Sequence, residues 1–225
     1  MTDSIDSAEK SRPSKTKERQ FKGLSMAERQ QARREKLIEA GIEAYGSYGF
    51  FSVTVKDICN EAKLTERYFY ESFKKSEHLF QTIFLKLIDE LQQNVMQAMM
   101  QASTDPKKMI EAGLTALLTT LRDNPRMARI IYIDAMLVQE LHNQATIHET
   151  MSRFDRMIHA FVMVMMPQLN RSEQEISLVS TGLNGYVTQI AIRWVMSGFK
   201  HSLEEVLSSC SVVFLALLES FSEKK

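Results

Sequence analysis

From Ser25 onward the chain carries repeated helix-start signals and very little that would interrupt a helix. Ser25-Met-Ala-Glu28, Ser172 with Glu175, and Ser202 with Glu205 each set a hydroxyl three residues before a carboxylate. That spacing lets the hydroxyl accept from the third helical amide while the carboxylate reaches back to the capping residue's own amide. Thr54 with Asp57 is a weaker version of the same box. Asp105-Pro106 and Asn124-Pro125 place a capping residue before a proline, which the first turn tolerates because the missing amide would be unpaired there anyway. The 225 residues include only 4 Pro and 8 Gly, and no stretch alternates apolar and polar residues between turn signals. The spacing predicts an all-α fold of about nine helices and no sheet. Their expected ranges are 26–47, 55–62, 66–72, 77–102, 106–122, 126–141, 145–166, 173–198 and 203–222.

At 44% hydrophobic residues the chain can bury a sizeable core, and 14 Met supply adaptable apolar filling. Cys59 and Cys210 lie far apart and outside any metal-ligand spacing, so they read as two reduced thiols. The polar start has no secretory apolar region, and Phe161–Met166 and Val212–Leu218 are too short to span a bilayer. The expectation is a cytoplasmic protein with no membrane partner. Enzyme signatures are missing: there is no nucleophile elbow, P-loop or dinucleotide fingerprint. His148-Glu149 begins a zinc-protease pattern, but Ser152 stands where the second histidine belongs. His142, His148 and Asp134 on neighbouring turns are the remaining metal candidates, and lone histidines on helices are usually surface residues. Neither a metal nor a cofactor is expected.

Net charge is zero, but it is unevenly spread. Residues 10–86 hold 16 Lys and Arg against 10 Asp and Glu, whereas residues 87–225 hold 12 against 15. A basic front joined to a mildly acidic remainder suits a polyanion-binding module fused to a unit with another task. Residues 1–24 have almost no apolar content and read as a disordered arm. Lys10–Lys22 carries six positive charges and one negative. The arm suits either phosphate tracking along DNA or simple solubilisation.

The stretch from Val53 to Phe80 carries the function. In Thr54–Ala62 the apolar residues Val55, Ile58, Cys59 and Ala62 follow helical spacing. Lys63-Leu64 forms a tight connection, and Thr65 is positioned to cap a second short helix, Glu66–Phe73. Phe69 and Phe73 share one face of that helix and would anchor it, so Tyr68 and Tyr70 cannot both point into the core. Two helices of about two turns joined this tightly form a helix-turn-helix unit, whose second helix enters the major groove of DNA. Arg67 can donate to guanine, a tyrosine hydroxyl of Tyr68 or Tyr70 to phosphate, and Thr65 lies where a phosphate can approach the helix start. Lys74 and Lys75 follow at the far end, positioned to clamp the backbone.

Residues 31–80 resemble the DNA-binding domain of the TetR family of regulators. The resemblance runs from Ala40 through Gly49 to Ile58, then Ala62–Lys74 with its Thr65 cap and the Tyr68-Phe69-Tyr70 trio, then Ser76–Phe80. It implies a helix-turn-helix domain at residues 25–80 and a ligand-binding and dimerisation domain at residues 81–225. It also implies a homodimer that binds a palindromic duplex operator, usually as a repressor, and is released by a small-molecule effector. Carried over position by position, the DNA contacts are Thr65, Arg67, Tyr68, Tyr70 and Lys74; Thr54, Lys63, Glu66 and Lys75 beside them complete the candidate DNA-contacting set. Several positions depart from the family pattern. Lys63 replaces a small turn residue, Ser72 stands where His or Tyr is frequent, and Ser76 replaces a common Lys. Glu66 and Glu71 sit beside the contacts, where Glu66 would accept from cytosine or repel phosphate. These departures keep a rival reading open, a helical small-molecule-binding or scaffold protein with a degenerate DNA-binding domain.

The last two long helices read as the dimer surface: 173–198 has Gly182 and Gly185, and 203–222 carries a broad apolar stripe. A pocket for an apolar effector is expected among helices 106–166 and the face of 173–198. Met109, Leu117, Leu121, Met136, Phe161, Met165, Thr188 and Trp194 are the candidate lining, each also suited to plain core.

Overall fold

The computed structural model describes residues 25–102, 104–139, 141, 146–165 and 171–222. The expected arm, residues 1–24, and His142 lie outside the described residues, as does the side chain of His148. Helices make up the regular structure of the described residues, with no strand among them. The helices are α1 (Met26–Tyr48), α2 (Val55–Glu61), α3 (Glu66–Ser72), α4 (Ser76–Ala102) and α5 (Pro106–Asp123). They continue with α6 (Pro125–Arg129), α7 (Ala135–Leu137), α8 (Thr146–Met165), α9 (Glu173–Met196) and α10 (Leu203–Ser222).

The local start signals operate as read. Ser25, Thr54 and Ser172 each close a capping box with Glu28, Asp57 and Glu175. Ser202 does the same with Glu205, its amide donating to Glu205 Oε2 at 2.8 Å and its hydroxyl accepting from the Glu205 amide at 3.2 Å. Bonds from the capping amides and hydroxyls hold the carboxyls of Glu28, Glu175 and Glu205 below the usual range. Asp105 caps α5 by accepting from the Lys107 amide. Asn124 makes no side-chain cap bond to α6, so there the proline alone marks the start.

One expected helix is corrected. Residues 126–141 do not form a single helix. Regular α-helix ends at Arg129, a π-helical turn spans Ile130–Asp134, and α7 stops at Val138, which is extended. The apolar run Ile130-Ile-Tyr-Ile keeps a helical pattern, so the wider turn does not show in the spacing. The turn buries Asp134 beside Arg129, with Nε 3.6 Å from Oδ2. The two atoms stand at ion-pair distance but make no hydrogen bond. Among the described residues no group of three or more His, Cys, Asp and Glu is placed to hold a metal. No helix among them is long and apolar enough to cross a membrane.

A continuous core runs the length of the molecule. At one end Tyr45, Phe50 and Phe80 pack ring against ring, with centroids 5.0–5.6 Å apart. At the other, α4 and α5 lie side by side through Leu91, Val95, Leu114 and Leu118. α1 crosses α6 between the two ends. Arg126 pairs with Glu43 at 2.7 Å and donates to the Ser47 hydroxyl at 3.0 Å. Gly46 permits that crossing, because a Cβ there would stand 2.9 Å from the Arg126 Cα. Gly49 adopts φ +87°, turning the chain out of α1 into the 3-10 turn Phe50–Ser52.

Candidate nucleic-acid interface and ligand cavities

α2 and α3 form the expected helix pair, and the connection explains Lys63. Its φ is +54°, the left-handed region, and the chain ends α2 in a Schellman turn. The Leu64 amide donates to the Cys59 carbonyl at 2.9 Å and the Lys63 amide to the Asn60 carbonyl at 3.1 Å. Glycine is the residue this position favours, so Lys63 carries a backbone cost. Lys63→Gly is expected to raise stability by about 0.5–1 kcal/mol, read as a melting-temperature increase of about 1–4 °C.

α3 is held by its apolar side. Phe69 is fully buried and Phe73 nearly so, with ring centroids 5.8 Å apart. The opposite side faces solvent: Thr65, Glu66, Arg67, Tyr70 and Lys74 are exposed, with the Arg67 side chain 84% accessible. Thr54 and Lys63 are exposed as well, on the approach from α2. Lys75 and Tyr68 are half-buried. Thr65 occupies the capping position of α3, but its side chain makes no cap hydrogen bond, contrary to expectation. The Thr54 hydroxyl is engaged with Asp57 at 2.6 Å.

Two arginines missing from the expected set organise this face. The Arg33 guanidinium lies 4.5 Å from the Tyr68 ring centroid and 3.9 Å from Glu71 Oε2. Arg34 covers the Phe73 ring at 4.9 Å. Tyr68 therefore leans on α1 and does not stand free as the sequence suggested. Both arginines lie on the side of α1 that carries Leu37, Ile38 and Gly41, a placement visible in the helical spacing. Arg67 donates from Nε to Glu71 Oε1 at 3.0 Å. Glu71, one of the two acids beside the expected contacts, is thus occupied by Arg67 and Arg33. An exposed i,i+4 pair is worth only about 0.3–0.5 kcal/mol, so Arg67 can exchange it for another anion or a base edge at small cost. Burial, and then the charge of Glu66, push the Cys59 thiol up, which keeps it protonated beneath this surface.

Two cavities lie among the later helices. The larger, about 90 Å³, sits between α4, α5, α8, α9 and α10 and is lined by apolar residues including Met99, Ile110, Met157, Phe161 and Phe214. The smaller, about 70 Å³, is bounded by Phe84, Ile88, Thr188 and the π-helical turn through Ile131 and Tyr132. Leu117, Phe154, Asn184 and Val187 line both. Of the expected lining residues, Leu117, Phe161, Met136 and Thr188 are found there. Met109, Leu121, Met165 and Trp194 line neither cavity. Leu121 is fully buried core, and Trp194 donates from its indole to the His201 carbonyl at 2.9 Å and packs on Phe199.

No family model matches the chain, and no curated protein does. Solved structures do match. FadR, a fatty acid degradation regulator from Bacillus halodurans, superposes with TM-score 0.69 at 15% identity, over 80% of this chain and 93% of its own. The transcriptional regulator FadR from Bacillus subtilis, solved in complex with stearoyl-CoA, gives 0.67 at 14% identity, over 80% and 96%. A TetR-like transcriptional regulator from Rhodococcus gives 0.60 at 16% identity, over 86% and 98%. The chain has the fold of the TetR-like transcription regulators.

Proposed function

We propose that the chain is a ligand-responsive TetR-family transcription regulator, a repressor that binds a palindromic operator as a homodimer. The observation that carries this reading is the surface of α3. Its apolar side is locked by Phe69 and Phe73 while Arg67 and Tyr70 project outward from the second helix of a helix-turn-helix pair. That is the presentation a recognition helix needs to reach base edges in the major groove. Residues 25–80 form the DNA-binding domain and residues 81–225 sense the effector and dimerise. Arg67 reads a base. Thr54, Lys63, Thr65, Tyr68, Tyr70, Lys74 and Lys75 contact phosphate, and Glu66 lies against the groove edge.

The outer faces of α9 and α10 support the dimer reading. Leu178 is 74% exposed, Gly182 and Gly185 have open space beyond their Cα atoms, and Val212 is 60% exposed. Such a face suits close helix-on-helix association into a four-helix bundle. The effector site lies in the cavities of the later helices and admits a small apolar molecule.

Selection of bound sites from a random duplex library tests this reading. Recovery of a palindrome with half-sites about one helical turn apart, near 34 Å, is the expected result. Recovery of no preferred site would overturn it. Arg67→Ala is expected to cost about 1–3 kcal/mol on the selected site and to relax one base position per half-site. Equal weakening on random and selected DNA would make Arg67 a phosphate contact only. Lys63→Gly, which stabilises the fold, is expected to lower the salt dependence of DNA affinity by about one counterion per subunit.

A further inference from the structure

Resting on the reading of the later helices as an effector domain, we propose that the two cavities are halves of one site for an uncharged amphipathic molecule. Its apolar chain occupies the larger cavity, and a neutral head that both donates and accepts hydrogen bonds, such as an alcohol, occupies the smaller. Three observations converge on that chemistry.

The larger cavity is walled by hydrocarbon and thioether groups, with Asn184 the one polar residue among its described lining. Three of the described residues lining the smaller cavity, Tyr132, Thr150 and Thr188, carry hydroxyls. Thr150 is only 3% exposed, and its Oγ1 is buried with no hydrogen-bond partner. Buried hydroxyls in folded proteins are nearly always paired, so an orphan on a cavity wall marks where a partner belongs. Burial also pushes the Tyr132 hydroxyl up, so it stays protonated and able to donate. Asn184 stands between the two cavities, fixed by its Nδ2 donating to Asp155 Oδ1 at 2.8 Å, with Thr188 Oγ1 3.5 Å from its Oδ1.

The lining also excludes a class. No Lys, Arg, His, Asp or Glu is among the described residues lining either cavity. A carboxylate or phosphate placed there would lose its water with no opposite charge to replace it. A pure hydrocarbon would leave Thr150 Oγ1 unpaired. Leu117, Phe154, Asn184 and Val187 line both cavities, and a single occupant requires the half-buried Phe154 to turn aside.

The test compares n-decanol, decanoate and decanoyl-CoA on the full chain at neutral pH, by thermal shift and calorimetry. Decanol is expected to raise the melting temperature as it saturates, and the two anions to bind at least tenfold more weakly. Thr150→Val, which keeps the side-chain shape, is expected to weaken decanol about tenfold while its own ligand-free melting temperature stays level or rises. Phe154→Trp, which fills the partition, is expected to abolish decanol binding. Decanoate binding as tightly as decanol overturns the neutral-head assignment. Unchanged decanol affinity in Thr150→Val overturns the placement of the head, and binding of none of the three overturns the site. DNA affinity measured without ligand stays separate, so these failures leave the DNA-binding reading standing, and its failure leaves the cavity result standing.

Discussion

Phe69→Ala is expected to destabilise the protein by about 3–5 kcal/mol, a fall of about 6–20 °C in melting temperature. Phe69 is fully buried, its ring 5.4 Å from Tyr70 and 5.8 Å from Phe73. α3 is only 7 residues long. A helix of that length has no stability of its own and is held by tertiary contacts alone. The cavity left by the lost ring therefore acts first on α3, before the long helices respond. Hydrogen exchange should show α3 amides losing protection while α4 and α5 retain theirs. Tyr70→Ala is the control: with Tyr70 58% exposed, it should alter stability little. A Phe69→Ala protein as stable as the parent would mean that α3 does not depend on this anchor.

Gly46→Ala is expected to destabilise by about 3 kcal/mol, although alanine favours an isolated helix by about 1 kcal/mol over glycine. The clash outweighs the propensity because its target is backbone. The new methyl would stand 2.9 Å from the Arg126 Cα and still nearer the Arg126 Cβ, so no side-chain rotation relieves it. α6 must move away from α1. That shift pulls Arg126 from Glu43 and Ser47, the polar contacts that join the first helix to the turn leading into the smaller cavity. Thermal denaturation reads the loss directly. A neutral or stabilising outcome would show that α1 and α6 are not closely apposed at Gly46.

What the sequence revealed and what it hid follow one physical line. Capping boxes are formed by residues three apart, so Ser25, Thr54 and Ser172 announced their helices within a single turn of chain. The anchor-and-exposure pattern of α3 also followed from spacing alone, with Phe69 in and Arg67 out. Contacts between distant segments were not written that way. Arg33 braces Tyr68 from a different helix, and only the packing of α1 across α3 brings them together. The π-helical turn at Ile130–Asp134 depends on where Asp134 can be buried beside Arg129, while its apolar pattern reads as ordinary helix. The same limit applied to the cavity walls. Leu117 and Leu121 are equivalent by sequence, one turn apart on α5, yet Leu117 lines both cavities and Leu121 lines neither.

The decisive property is whether the outward face of α3 holds duplex DNA by charge and shape. Affinity for the selected duplex, measured by fluorescence anisotropy across a salt series, reads it directly for the parent and for the triple substitution of Arg67, Tyr70 and Lys74 by alanine. The parent should bind with a logarithmic salt slope reflecting several released counterions. The triple variant, folded as shown by its circular dichroism and melting temperature, should lose at least a hundredfold in affinity and about one counterion per subunit from the slope. Equal affinity and equal slope in the two proteins would contradict α3 as the reading helix.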